Sequence, residues 1–357
     1  MTAATAVGIA SAPMACDGVT GPTLSEFELV EAFRLDQLEP DDFILTMAAS
    51  SNGHLWIGTF QGLVLEVWEG GVLDHSEAAT SGGSTPIYDI FVGPGDRIWA
   101  SDGEGYAVLE RGDWSWNPTP SYASFPTLVR SVAVNPAGEV LLGVGNANGG
   151  GLLLFSDDSW SPITPANSRL PSSIVADIDV GPDGDFWVGT LGFQGRGGVA
   201  RISRGQVVLS LDGPGDGLLY PSVDRIQVGD DGAWLGYGIG FIDQLGVPDG
   251  GLQLLSEPTE VLSSHFPFAT GLTSNRIVAM HLAVDGTLWF TTGLDEDLAG
   301  CERCLAGIGR LGPAGDFAAL SALNYDLPPN GFFPAITEAP DGRIFVAHDR
   351  RVLRIVD

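Results

Sequence analysis

Side chains able to do chemistry are sparse in this chain, and few stand where they could act together. The histidines are His54, His75, His265, His281 and His348; a catalytic histidine–metal centre needs at least two convergent ligands, and this spacing offers none. Cys301-Glu302-Arg303-Cys304 is a single CxxC pair, so it cannot complete a four-ligand zinc site. In an oxidising compartment Cys301 and Cys304 are expected to close a small disulfide across a projecting loop. The adjacent Asp295-Glu296-Asp297 could take a divalent cation, although acidic surface loops usually bind nothing in particular; no other cofactor is expected. Glycine-rich runs such as Gly213-Pro214-Gly215-Asp216-Gly217 lead into neither lysine nor a helix and therefore read as turns. The chain has 45 acidic and 16 basic residues, all of the latter arginine, and a formal charge of −29. Such a surface repels phosphate backbones and anionic lipid, which argues against nucleic-acid binding.

What positions these groups is a repeated turn. Val284-Asp285-Gly286-Thr287-Leu288-Trp289 sets an Asp-Gly turn between two apolar runs, the pattern of a tight β-hairpin. Equivalent turns begin at Asn52, Gly95, Ala137, Asp183, Asp231, Asp285 and Asp341, and a large residue follows each. Those residues, Trp56, Trp99, Leu141, Trp187, Trp234, Trp289 and Phe345, recur at intervals of 43, 42, 46, 47, 55 and 56 residues. Only Trp234 comes one residue early. Five residues before each turn stand Met47, Ile90, Val132, Ile178, Ile226, Met280 and Ile336, all apolar; three before it, Glu338 alone breaks an apolar column. A 40–50-residue period with about four short strands per unit marks a β-propeller.

The expected fold is all-β: a seven-bladed propeller of four-stranded antiparallel blades, with 26–357 as one domain. Blades fall at about 41–77, 85–121, 127–165, 172–213, 222–264, 275–323 and 332–356. The last blade lacks a strand while the N-terminus has one to spare, so 27–35 is expected to complete it and close the ring. The large-residue column fills the wedge between blades. Residues 1–25 are a separate segment: Pro13-Met14-Ala15-Cys16 is similar to a bacterial lipoprotein cleavage box, with Cys16 as the lipidation candidate, though Pro13 stands where that box prefers Leu and no basic residues precede it. The alternative is a disordered tail with an idle thiol. Export places the protein outside the cytoplasm, as a periplasmic, cell-surface or secreted bacterial protein, touching membrane only through such an anchor.

Strand alternation nominates the ligand face. Residues seven before each turn share strand parity with the apolar column and open onto the central funnel. Tyr88, Arg130 and Asp224 are the polar members; Arg276 could join at the rim, and His348, in the loop after a second strand, lies near the mouth. Arg130 and Asp224 either neutralise each other or water, or hold a small polar or anionic ligand.

The repeats resemble those of the two-component regulator propeller family. Gly271-Leu272-Thr273-Ser274-Asn275-Arg276-Ile277 matches its opening, and Asn52-Gly53-His54-Leu55-Trp56-Ile57-Gly58-Thr59 with Gly62-Leu63 its middle. The sixth blade is also similar to the streptogramin B lyase (virginiamycin B lyase) type: Gly286 to Thr291, then Ile308-Gly309-Arg310-Leu311. Thr292 stands where that family has Glu, and its Glu-x-His pair is missing. The first resemblance implies a non-catalytic, exported, monomeric sensor propeller that binds a ligand or another protein and signals through a further chain. The second implies a metal-dependent lyase or hydrolase, and a third role is a scaffold using its outer edges.

Overall fold

The computed structural model describes residues 27–356 apart from 83–84, 122–127, 147–148, 194–195, 239–249, 257–260, 266–275, 294–306 and 322–331. Seven four-stranded antiparallel sheets follow one another along the chain. Their inner strands are Ile44–Ala49, Asp89–Gly93, Val129–Val134, Val175–Val180, Arg225–Gly229, Ile277–Leu282 and Ile336–Glu338. Each contacts the inner strand of the next blade, and that of blade 7 contacts that of blade 1, so the ring closes. In blade 7 the fourth strand is Glu28–Arg34, paired with Arg351–Val356 from Glu28↔Val356 to Arg34↔Arg351. Burial fastens this closure at both ends. Phe27 packs with Trp289 and Phe333, and Leu35 packs with Ile44, Met47 and Phe345.

The sequence period maps onto the seams between blades. Trp56 packs on Ile90 and Ile98 of the next blade, Trp99 on Val132 and Val140, and Leu141 on Ile178 and Phe186. Trp187 meets Ile226 and Leu235; Trp234 meets Met280 and Leu288; Trp289 meets Ile336 and Ile344; Phe345 meets Met47 and Leu55. Each large residue therefore lies against the next blade's apolar inner-strand column. Burying one tryptophan stabilises a seam by on the order of 5 kcal/mol against leaving it in water.

Both irregularities of the repeat have local causes. In blade 5 the strands close tightly, with Gly229 opposite Gly232, so Trp234 arrives one residue early. Gly53, Gly184, Gly286 and Gly342 instead take φ of +83° to +85° in the longer turn, a backbone region that favours glycine. Glu338 is polar because it reaches across to blade 6. Its Oε2 accepts the Val284 N–H at 2.8 Å and lies 3.6 Å from His281 Nε2, and these bonds hold its carboxyl below the usual range.

Candidate functional site

The inner strand of every blade is a sheet edge, and its outward N–H groups need acceptors. Side chains from the preceding blade supply them. Thr46 Oγ1 accepts from Ile90 N at 3.3 Å, Asp89 Oδ2 from Val132 N at 2.9 Å and Asp177 Oδ2 from Ile226 N at 3.0 Å. One pleat further along, Asp179 Oδ2 accepts from Val228 N at 2.7 Å and Gln227 Oε1 from Leu282 N at 3.1 Å. Arg225 adds the reverse bond, donating Nε–H to Val278 O at 2.6 Å. These residues stand six or four before their turns. Sequence reasoning passed over them because it followed the apolar parity; the available signal was a polar residue at the sixth-before position in five of the seven blades.

Carboxylates gathered at the hub are costly to ionise. Burial drives the Asp89 and Asp179 pKa values up to about 7 and that of Asp177 to about 6, against the lowering effect of their N–H bonds. Asp177 of blade 4 raises Asp89 of blade 2, while Arg225 of blade 5 lowers both. Groups on blades 2, 4 and 5 interact because they face one another across the propeller axis.

Above this layer lie the residues nominated by parity. A β-bulge interrupts the inner strands of blades 1, 3, 4 and 6 at the seventh position before the turn, where Leu45, Arg130, Ala176 and Val278 sit. A bulge leaves its extra residue out of the ladder and breaks the alternation on which the parity argument rested. Arg130 turns toward blade 2, its guanidinium carbon 5.9 Å from the centre of the Tyr88 ring. Gly103 makes room for that ring: a Cβ there would come within 2.9 Å of Tyr88 Cε2. Among the described residues Arg130 makes no ion pair, and its Nε–H is shut from water without a hydrogen-bond partner.

Asp224 and Arg276 converge elsewhere, on Gly238. Asp224 is 3% exposed and accepts the Gly238 N–H at 3.1 Å, while Arg276 Nε donates to Gly238 O at 3.1 Å. His348 is buried with its ring 5.1 Å from that of Phe333; burial, then Arg351, pushes its pKa down and keeps it neutral. The structure thus brings together Tyr88 with Arg130 and Asp224 with Arg276, and sets His348 on blade 7. Cys16, Cys301, Cys304 and Asp295-Glu296-Asp297 lie outside the described residues.

A second polar cluster lies away from the hub. Glu66 receives His54 Nδ1 at 2.7 Å on one oxygen and His75 Nε2 at 3.1 Å on the other, with Trp56, Trp68 and Trp114 packed around the two rings. The imidazoles flank the carboxylate rather than meeting at one point. Among the described residues, no three His, Cys, Asp or Glu side chains gather as a metal site.

The profile of the two component regulator propeller matches residues 39–61, the first inner strand and its turn. No curated protein sequence matches the chain. Solved structures share its fold across nearly the whole chain at 14–16% identity. The extracellular domain of a hybrid two component system from B. thetaiotaomicron aligns with TM-score 0.67 at 16% identity, over 90% of this chain and 40% of that one. A streptogramin B lyase aligns with TM-score 0.63 at 16% identity, over 92% and 97%, and virginiamycin B lyase from Staphylococcus aureus with 0.62 at 14%, over 93% and 100%. The chain spans only two-fifths of that extracellular domain's length.

Proposed function

We propose that this is an exported, sensor-type recognition propeller that binds a small polar or anionic ligand at the funnel, with Arg130 and Tyr88 as its primary contacts. The observation that carries this reading is the state of Arg130. Among the described residues, this half-buried guanidinium has no carboxylate partner; it lies against an aromatic face, with its Nε–H unsatisfied. A buried cationic donor without a partner is expensive, and a ligand carboxylate or phosphate presents the bidentate acceptor that satisfies it. Export and signalling through another chain are supported by the lipoprotein-like segment and by likeness to the extracellular domain of a two component system.

The test is a calorimetric screen of small anions against the protein and its Arg130→Gln, Arg130→Lys and Tyr88→Ala variants. A ligand of this site should weaken by roughly tenfold or more in Arg130→Gln, the equivalent of losing a charged hydrogen bond. Lys should rescue only partly, because it lacks the planar fork. Equal affinity in all four proteins would overturn the assignment. The lyase alternative is favoured by fold likeness over the lyases' full length. Its distinguishing requirement is a metal, so breakdown of quinupristin, the compound solved with virginiamycin B lyase, that depends on an added divalent cation would replace the sensor reading.

A further inference from the structure

We infer that a second recognition groove, separate from the funnel site, takes a small dicarboxylate between blade 3 and the outer part of blade 4. The crossing from blade 3 to blade 4 forms one wall, contributing Arg169, Ser172 and Ser173; Arg196, at the start of the third strand of blade 4, and Asp212, after its fourth, form the other. The space between them measures about 690 Å³, enough for a small organic acid with its hydration. Pro165 and Pro171 bound the crossing and fix its backbone, and buried Ser172 accepts the Ile174 N–H at 3.2 Å, so this wall is built before a ligand arrives.

Charge decides the class of ligand. A net charge of −29 repels an acid from most of this surface. Here two arginines, neither of them in an ion pair among the described residues, offset two aspartates, Asp212 and Asp216, and Asp216 already spends Oδ2 on the Asp212 N–H at 3.0 Å. The groove is therefore locally neutral, with ten guanidinium N–H donors projecting from opposite walls. One carboxylate can satisfy one planar fork; a ligand carrying a carboxylate at each end can satisfy both, while serine hydroxyls serve its middle. The groove's inner wall packs against blade 3. Its inner residue Ser173 lies so near blade 3 that a Cβ on Gly145 would come within 2.6 Å of Ser173 O, and Gly145 N–H bonds to Leu128 O, two residues from Arg130.

The experiment is isothermal titration at low ionic strength with succinate, acetate and inorganic phosphate, on the wild-type protein and on Arg169→Gln, Arg196→Gln, Arg204→Gln and Arg130→Gln. Arg169 and Arg196 are exposed, so their loss leaves the fold intact. Arg204, in the turn at the opposite end of the same blade, controls for general charge. Succinate should bind the wild type more tightly than acetate does and should weaken at least tenfold in Arg169→Gln and in Arg196→Gln. Arg204→Gln should leave it unchanged. The inference is overturned if succinate gives no heat, if it binds the two groove variants as well as the wild type, or if phosphate is preferred. Loss confined to Arg130→Gln would move succinate into the funnel, refuting the groove while supporting the funnel site.

Discussion

Replacing Asp89 with Asn should stabilise the protein at alkaline pH and do little at acid pH. Unfolded, this aspartate loses its proton near pH 3.8; folded, it holds the proton to about pH 7, mainly because burial penalises the charge. Between those values the native state binds more protons than the unfolded one, so stability falls as pH climbs from about 4 to 7 and the loss is complete above that. A shift of about three units sets a ceiling of roughly 4 kcal/mol. Asp89 keeps partial contact with solvent, and effective screening at such sites reduces the expected cost to about 1–2 kcal/mol. Asn keeps an oxygen for the Val132 N–H, now 2.9 Å from Asp89 Oδ2, and carries no charge to repel Asp177. Unfolding entropy for a chain of this length is on the order of 0.7 kcal/mol per degree, so Asp89→Asn should melt about 2 °C higher at pH 8 and level with the wild type near pH 4. Asp89→Leu leaves the Val132 N–H unpaired and should lose stability at every pH, by about 1–3 kcal/mol. Thermal melts from pH 4 to 8.5 read all three proteins. An Asn variant no more stable than the wild type at pH 8, or one shifted equally at both ends, would refute the account of the hub.

Three further perturbations probe the ring. Gly58→Ala puts a Cβ 2.5 Å from Ile87 Cγ2 and 2.7 Å from Thr46 Cγ2, forcing blades 1 and 2 apart; denaturant melts should show a loss of about 1–3 kcal/mol. Tyr237→Phe removes the hydroxyl bonded to Gln253, whose Oε1 also accepts the Leu219 N–H at 3.0 Å, and should cost about 1 kcal/mol. Burial pushes the Tyr237 phenol far up, so alkaline difference spectra should show one more late-ionising tyrosine in the wild type than in the variant until the protein unfolds. Deleting residues 27–35 bares the edge of Arg351–Val356 and removes Phe27 and Leu35 from two seams; size-exclusion should show self-association, relieved by adding a peptide of residues 26–36. A monodisperse, cooperatively melting deletion protein would show that ring closure does not depend on this strand.

Read alone, the sequence determined blade number, strand order and closure. A seven-fold repeat must place Trp56, Trp99 and their counterparts at equivalent seams, and a strand missing at one end with one spare at the other has a single economical solution. It also singled out Tyr88 and Arg130, Asp224 and Arg276, because local strand position is written in turn spacing. What it could not convey is which of these meet. The bulge at Arg130 changes a side chain's direction without changing the turn spacing, and the hub couples Asp89, Asp177 and Arg225 from blades 2, 4 and 5, separated by dozens of residues and joined only when the ring curls round its axis. Periodicity encodes what every blade shares; contacts across the axis arise from how the blades differ, and closing the ring is what sets those differences face to face.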